Sequence, residues 1–204
     1  DSEQVMYVWF DALTNYISTI GWPENNQDFE KIWGTNDKPS AVQVAGKDNL
    51  RQQASMWQAM LFAAGLPLTR QILIHGFITS GGVKMSKSLG NVIDPIEYSE
   101  KYGVDALRYY LLAKVSPFED SDFTKDKFAE AYVADLQNGL GNLVSRVAAM
   151  AVNSEFSNHK FSNSQISKAV TEALNNYKFD EALSLIWSKI KEADQYVSEK
   201  RVWE

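Results

Sequence analysis

Hydrophobic positions along this chain follow two different periods, with a polar, glycine-rich stretch between them. Over residues 1 to 80, short continuous apolar runs alternate with a helical pattern. "VMYVWF" (5–10), "AVQVAG" (41–46) and "QILIHG" (71–76) read as short buried strands. Between the last two, "NLRQQASMWQAMLFAA" has helical spacing; Asp48 stands where an N-cap is needed, and Gly65 and Pro67 end the pattern. Strand, helix and strand in that order predict a βαβ unit and a parallel sheet. Ligands of such sheets bind beyond the carboxyl ends of the strands, where "AGKD" (45–48) and "HGF" (75–77) lie.

Beyond Thr124, a further N-cap candidate, the period is 3.6 throughout. Val133, Leu136, Leu140, Leu143, Val144 and Val147 form one apolar stripe. Phe179, Ala182, Leu183, Ile186, Ile190, Ala193 and Val197 form another, and Ser162 with Gln165 resembles a capping box. Amphipathic helices in series predict a helical bundle. In the middle, Asp94-Pro95 opens a short helix, "DALRYYLLAK" (105–114) is a second, and the turn-rich "SPFEDSDF" (116–123) reads as a domain boundary. The expected fold is α/β plus all-α, divided into residues 1–80, 81–123 and 124–204.

Composition narrows the chemistry. With 45% hydrophobic and 12% aromatic residues in 204, the chain can build a core and is not a disordered polymer. A net charge of -6 argues against a basic coat, although a local patch on an acidic chain still binds phosphates. Without cysteine there is no disulfide and no cysteine zinc site, and two histidines make a histidine-built metal site an unattractive reading. The longest apolar run, near Met60 to Ala64, is too short to cross a bilayer, and no targeting segment is visible. The expected location is the cytoplasm, with no membrane partner. An opening that enters an apolar run at once, and a close inside helical pattern without a stop signal, lead us to expect a piece of a larger protein.

"GGVKMSKSLGN" (81–91) is the stretch that carries chemistry. Lys84 and Lys87 are three apart in a segment with little apolar content, and Gly81 and Gly82 allow it to move as a lid. On composition alone these are solvated loop lysines. Placed after a sheet strand's carboxyl end, two ammonium groups suit phosphoryl or nucleotidyl transfer, which needs positive charge aimed at the phosphates and little else.

"KMSKSLGN" resembles the second signature of class I aminoacyl-tRNA synthetases. Together with "VMYVWFDALTNY" upstream, "GKD" between and "YGVDALRYYLL" downstream, the ordered set resembles the methionyl-tRNA synthetase family over essentially the whole chain. The resemblance implies the second half of a Rossmann-type sheet over 1–80, a KMSKS loop and stem-contact region over 81–123, and a truncated helical anticodon-binding domain over 124–204. It assigns Lys84 and Lys87 to the triphosphate of ATP as methionine attacks the α-phosphorus, with Lys87 the principal catalytic charge. It assigns Gly46 and Asp48 to the ribose, Ile78 to the adenine, and His75, Gly76, Met85 and Ser86 to the same nucleotide. Trp9, Ala12, Leu13, Tyr16, Asn49 and Gln53 match positions at the methionine pocket, where aromatic and apolar walls suit a thioether. Asn142, Arg146 and Trp203 match the readers of the CAU anticodon, a task for aromatic stacking and polar contacts to base edges.

The implied partners are methionine, ATP with its Mg2+, tRNA(Met) and the amino-terminal half of the same enzyme; no zinc site is expected in this piece. Two departures stand out. The family commonly places a histidine where this chain has Gln53, which hydrogen-bonds, to Tyr16 or to substrate, but does not titrate near neutrality. The His-Ile-Gly-His signature is absent, "IHGF" (74–77) not being it, so the piece alone is expected not to catalyse. A non-catalytic tRNA-binding module or a subunit of a split synthetase is the alternative from a different class. A leucine or valine synthetase fits "WFDALTNY" with "GKD" less well.

Overall fold

Branched residues in "VQVAG" and "QILIH" pair as the βαβ pattern predicts. A computed structural model, which describes residues 3–152 and 166–200, places β1 (Val42–Gly46) parallel to β2 (Gln71–His75), with Val42 opposite Gln71 and Gly46 opposite His75. The chain is a mixed α/β protein that divides into two units, residues 1–75 and 76–204. The two strands of the first unit are half-exposed rather than buried, Val44 being 62% exposed, because the pair has no flanking strand among the described residues.

One expected strand is absent. Val8–Ser18 is a helix, α1, and the "VMYVWF" run lies partly in it and partly ahead of it, with Val5 and Met6 almost wholly exposed. A continuous apolar run does not distinguish strand from helix. Here burial decides: Leu13 and Ile17, four apart, pack on one face against Phe29 and Trp33 of α2 (Asn26–Trp33) and against Trp57 and Leu61 of α3 (Trp57–Ala63). Trp33 donates its indole N–H to the Pro67 carbonyl at 2.9 Å and meets the Trp57 ring edge-on at 6.0 Å.

The cap assigned to Asp48 is also corrected. Lys47–Asn49 is a tight 3-10 turn whose cap position is Gly46, so Asp48 lies inside the turn and makes no capping bond. The following helix is not uniform either: Gln52–Met56 widens into a π turn before α3 begins. Such turns are local departures that hydrophobic period does not report.

In the second unit, β3 (Ile78–Ser80) and β4 (Val83–Lys84) form a hairpin, and β5 (Ser121–Asp122) lies parallel to β3 on its other side. Gly81 and Gly82 both have positive φ, +65° and +76°, the backbone that a two-residue hairpin turn requires. Gly76 is needed for another reason, since a Cβ there would collide with the Glu119 carbonyl. The segment 116–123 thus lies within this unit, tied to β3 by Ser121 N–H to Phe77 O and Phe123 N–H to Thr79 O, both 2.9 Å.

Helix starts in this unit are where their caps predict. Asp94 accepts from Ile96 N–H at the start of α4 (Pro95–Tyr102), and Thr124 accepts from Lys127 N–H at the start of α6 (Lys125–Ala131). Between them, α5 (Val104–Ala113) supplies Leu107 and Tyr110 to an aromatic core. Phe128 is its centre, 1% exposed, with the rings of Tyr98, Tyr110 and Phe123 all about it at 5.0, 5.2 and 5.7 Å.

A π-helical segment, Tyr132–Gly141, leads into α7 (Asn142–Val152); α8 (Lys168–Asn175) and α9 (Phe179–Lys200) pack as a hairpin around Val170, Ala173 and Ala182. The first apolar stripe is largely open, for Leu143 is buried while Val133, Val144 and Val147 are exposed. Tyr109 of α5 stacks on Trp187 of α9 at 4.5 Å and donates to Asp135, which also pairs with Lys114 at 2.8 Å. Burial first, then the bond to Asp135, raises the Tyr109 hydroxyl well above the usual tyrosine range. Ser162 and Gln165 lie outside the described residues.

Candidate functional site

In the lysine loop, Met85 is the apolar anchor that its composition did not promise. Half-buried, it rests against the Phe128 core together with Ile78 and Ile93. Lys84 and Lys87, on either side of it, stay exposed, and neither forms an ion pair with a carboxylate among the described residues. Lys84 Nζ lies 4.9 Å from the centre of the Phe77 ring.

Two residues that spacing alone did not single out shape the loop. Asn91 accepts from Ser86 N–H at 2.9 Å and donates to the Lys84 carbonyl at 3.3 Å, closing residues 84–91 into a ring. Ser86 in turn caps the short turn Lys87–Leu89 by accepting from Leu89 N–H. Asp122 fixes the other end, accepting from Gly82 N–H at 2.8 Å, Thr79 Oγ1 at 3.1 Å and Lys127 Nζ at 2.8 Å. The only sequence signal for these contacts was that Asn91 closes the glycine and serine run. Nothing local marks Asp122, forty residues downstream of Gly82.

The bonds from Lys127 and Gly82 hold the Asp122 carboxyl down at about 2, below its ordinary value of 3.8. A depressed carboxylate stabilises the fold above its unfolded pKa and loses that contribution as pH falls through the folded one. The Gly82 amide should therefore exchange slowly with solvent from neutrality down to about pH 4. Asp122→Ala should speed its exchange at least severalfold; hydrogen exchange at that amide checks it, and an unchanged rate would remove Asp122 from the loop's support.

The first unit gathers the residues matched to the amino acid. Trp9, Ala12, Leu13 and Tyr16 recur at three- and four-residue steps on α1. They differ in setting: Leu13 is core, Trp9 half-buried, Ala12 exposed and Tyr16 40% exposed. Gln53, 2% exposed on the π turn, donates Nε2–H to the Tyr16 hydroxyl at 2.9 Å and accepts from Gln43 Nε2 at 2.9 Å. Tyr16 also lies against Trp57, ring centres 5.9 Å apart. The Trp57 indole N–H is buried with no partner among the described residues. Asn49 is half-buried beside Asp48, 3.5 Å from its carboxylate.

At the carboxyl end of the parallel pair, Gly46 is opposite His75, and Asp48 stands exposed one turn on. These three therefore come together within the first unit. Gly76, Ile78, Met85 and Ser86 belong to the second, where Gly76 is buried and the other three half-buried. Among the described residues no three His, Asp or Glu side chains converge as a metal site would require, and no helix is long and apolar enough to cross a membrane.

On the helical part, Asn142 and Arg146 share a face of α7, one turn apart. Asn142 is exposed at the edge of a groove of about 590 Å³ lined also by Tyr132, Gln137, Asn138 and Ser145. Arg146 is half-buried and held from α9, donating to Asp194 at 2.9 Å and to Ser198 at 3.3 Å. Trp203 lies outside the described residues.

Residues 1–148 match the family model for tRNA synthetases class I (M). Methionine--tRNA ligase of Thermotoga maritima is 36% identical over the whole chain, which covers 34% of that protein; the Bacillus subtilis protein of the same name is 38% identical over 98% of the chain and 32% of its own length. The chain thus spans about a third of the length of the curated relatives it matches. Among solved structures, Mycobacterium tuberculosis methionyl-tRNA synthetase bound by methionyl-adenylate is similar at a TM-score of 0.83 and 33% identity, over 98% of this chain and 41% of that one.

Proposed function

This chain belongs to the family of class I tRNA synthetases (M), and from that we propose that it serves in a methionine–tRNA ligase. In that enzyme ATP and methionine yield methionyl-adenylate and pyrophosphate, and the methionyl group then passes to tRNA(Met). The observation that carries the reading is the loop itself: two exposed ammonium groups without carboxylate partners among the described residues, on a segment anchored by Met85 and closed by Asn91. Charge held ready at no ion-pairing cost is what a transition state with negative charge growing on phosphate oxygens requires.

Within this reading Lys84 and Lys87 bind the triphosphate, and Lys87 follows the charge onto the pyrophosphate as it leaves. Met85 orients both lysines through the core, and Ser86 presents the turn that follows. Asp48 accepts from the ribose hydroxyls; Gly46, His75, Gly76 and Ile78 line the nucleoside. Mg2+ would accompany the triphosphate as its counter-ion, and no step here depends on protein ligands to it. Trp9, Ala12, Leu13 and Tyr16 wall the methionine side chain, with Asn49 and Gln53 as polar neighbours.

Residues 1–80 correspond to the second half of a Rossmann-type catalytic domain, 81–123 to the loop and stem-contact region, and 124–204 to a helical anticodon-binding domain. Asn142, Arg146 and Trp203 read the anticodon. The residues beyond this chain complete the active site, and the work is done in the cytoplasm.

The test is ATP–pyrophosphate exchange by the intact synthetase, run separately with each of the common amino acids. Exchange driven by methionine supports the reading. Exchange driven by leucine or valine instead, or by none, defeats it. The present chain alone should give no exchange.

A further inference from the structure

Five neutral side chains of the first unit are joined in one line of hydrogen bonds, and that line has a direction. Gln58 is oriented by two backbone groups that cannot exchange roles: Thr69 N–H donates to its Oε1 at 3.1 Å, and its Nε2 donates to the Gln53 carbonyl at 3.0 Å. The same Nε2 lies 3.0 Å from Thr69 Oγ1, so the threonine oxygen accepts there. Its own proton then goes to Gln43 Oε1 at 2.6 Å. Gln43 must present its amide N–H to Gln53 Oε1, and Gln53 its amide N–H to the Tyr16 oxygen, each at 2.9 Å.

Run the other way, the line would have Tyr16 donate to Gln53 and Gln43 donate to Thr69. Thr69 Oγ1 would then receive two donors, and its proton would have no acceptor. That loss falls in a half-buried site, where an unmade bond is expensive. Direction therefore runs from the backbone at Thr69 to the Tyr16 hydroxyl. The hydroxyl oxygen is occupied and its proton is left over, with no acceptor among the described residues on a side chain 40% exposed.

We propose that Gln58 and Thr69, acting through Gln43 and Gln53, are positioning residues that hold the Tyr16 hydroxyl as a fixed donor to a neutral acceptor atom on the bound ligand. This rests on the functional reading above, in which that atom is the thioether sulfur of methionine. None of the four side chains behind Tyr16 titrates, so the donor keeps its direction where a histidine in the place of Gln53 would exchange donor and acceptor roles with protonation. Selectivity then falls on what the ligand offers at one atom: sulfur accepts, and the methylene of norleucine does not.

Raman spectroscopy of the purified protein tests the direction without any ligand. The tyrosine ring doublet differs in intensity ratio between a hydroxyl that accepts and one that donates, and subtracting the spectrum of Tyr16→Phe isolates this ring. A hydroxyl that accepts, with or without donating to water as well, is expected; a purely donating signature would overturn the proposal. In Gln53→Glu the buried carboxylate accepts from both sides, and the signature should turn to donating. If that variant does not fold, the wild-type difference spectrum still decides.

In the intact synthetase, methionine should be preferred over norleucine by a margin that Thr69→Val reduces about two- to tenfold, the worth of one neutral hydrogen bond. Rates with norleucine itself should hardly change; equal loss on both substrates would mean Thr69 merely supports the fold. Should the synthetase fail to activate methionine at all, the functional reading falls while the Raman result stands by itself.

Discussion

Lys87→Ala should slow methionyl-adenylate formation in the intact synthetase by roughly a hundred- to a thousandfold, about 3–4 kcal/mol of transition-state stabilisation. Methionine affinity should stay within about a factor of two, because the residues matched to the amino acid sit on α1 and the π turn of the first unit while Lys87 is on the loop of the second. Single-turnover rates with saturating ATP, beside equilibrium binding of methionine, separate the two quantities. A variant that binds methionine much more weakly yet forms adenylate normally once saturated would contradict the role. Lys87→Arg tests the geometry as well as the charge: a planar guanidinium on a longer stem keeps the sign but not the point-like ammonium.

The loop does not stand alone, which gives the second large expectation. Phe128→Ala removes a ring that is 1% exposed and touches Tyr98, Tyr110 and Phe123 in the core of the second unit. Loss of about 3–5 kcal/mol of stability is expected, the burial of the ring plus the cavity it leaves. Met85 and Ile78 rest on that same core, so adenylate formation should fall at temperatures where the protein is still folded. Urea unfolding followed by circular dichroism measures the first effect. A change below about 1 kcal/mol would mean the neighbours collapse into the space and the ring is not the keystone that its burial suggests.

Much of this was legible in the chain itself, and the limits are physical. Asp94 and Thr124 cap helices because a short polar side chain ahead of an amphipathic segment has one good use there. The β1–β2 pairing follows from two branched runs separated by a helix. Residues 5–10 misled because a run apolar at every position carries no period, and only the burial of Leu13 and Ile17 chooses the helix. Asp48 misled because Gly46 takes the cap position and a 3-10 turn intervenes, a matter of one or two residues that spacing does not resolve.

The candidate site divides the same way. Lys84 and Lys87 are readable from "KMSKSLGN", and both are exposed. The glycine pair before them turns a hairpin through positive φ, a firmer use than the freedom of a hinge. What supports the site was not readable. Asp122 reaches Gly82 across forty positions of sequence, and Gln43, Gln58 and Thr69 reach Tyr16 only through one another. Polar side chains that bond across the fold leave no periodic trace, because their partners are set by tertiary geometry alone.

The most direct measurement is the rate at which an amine-acylating reagent modifies Lys84 and Lys87 in the intact synthetase, followed peptide by peptide with mass spectrometry. With ATP present both should be slowed together, and adenosine, which lacks the phosphates, should leave them as reactive as in the free protein. Equal rates with and without ATP, or equal slowing by adenosine, would show that these ammonium groups do not meet the phosphates.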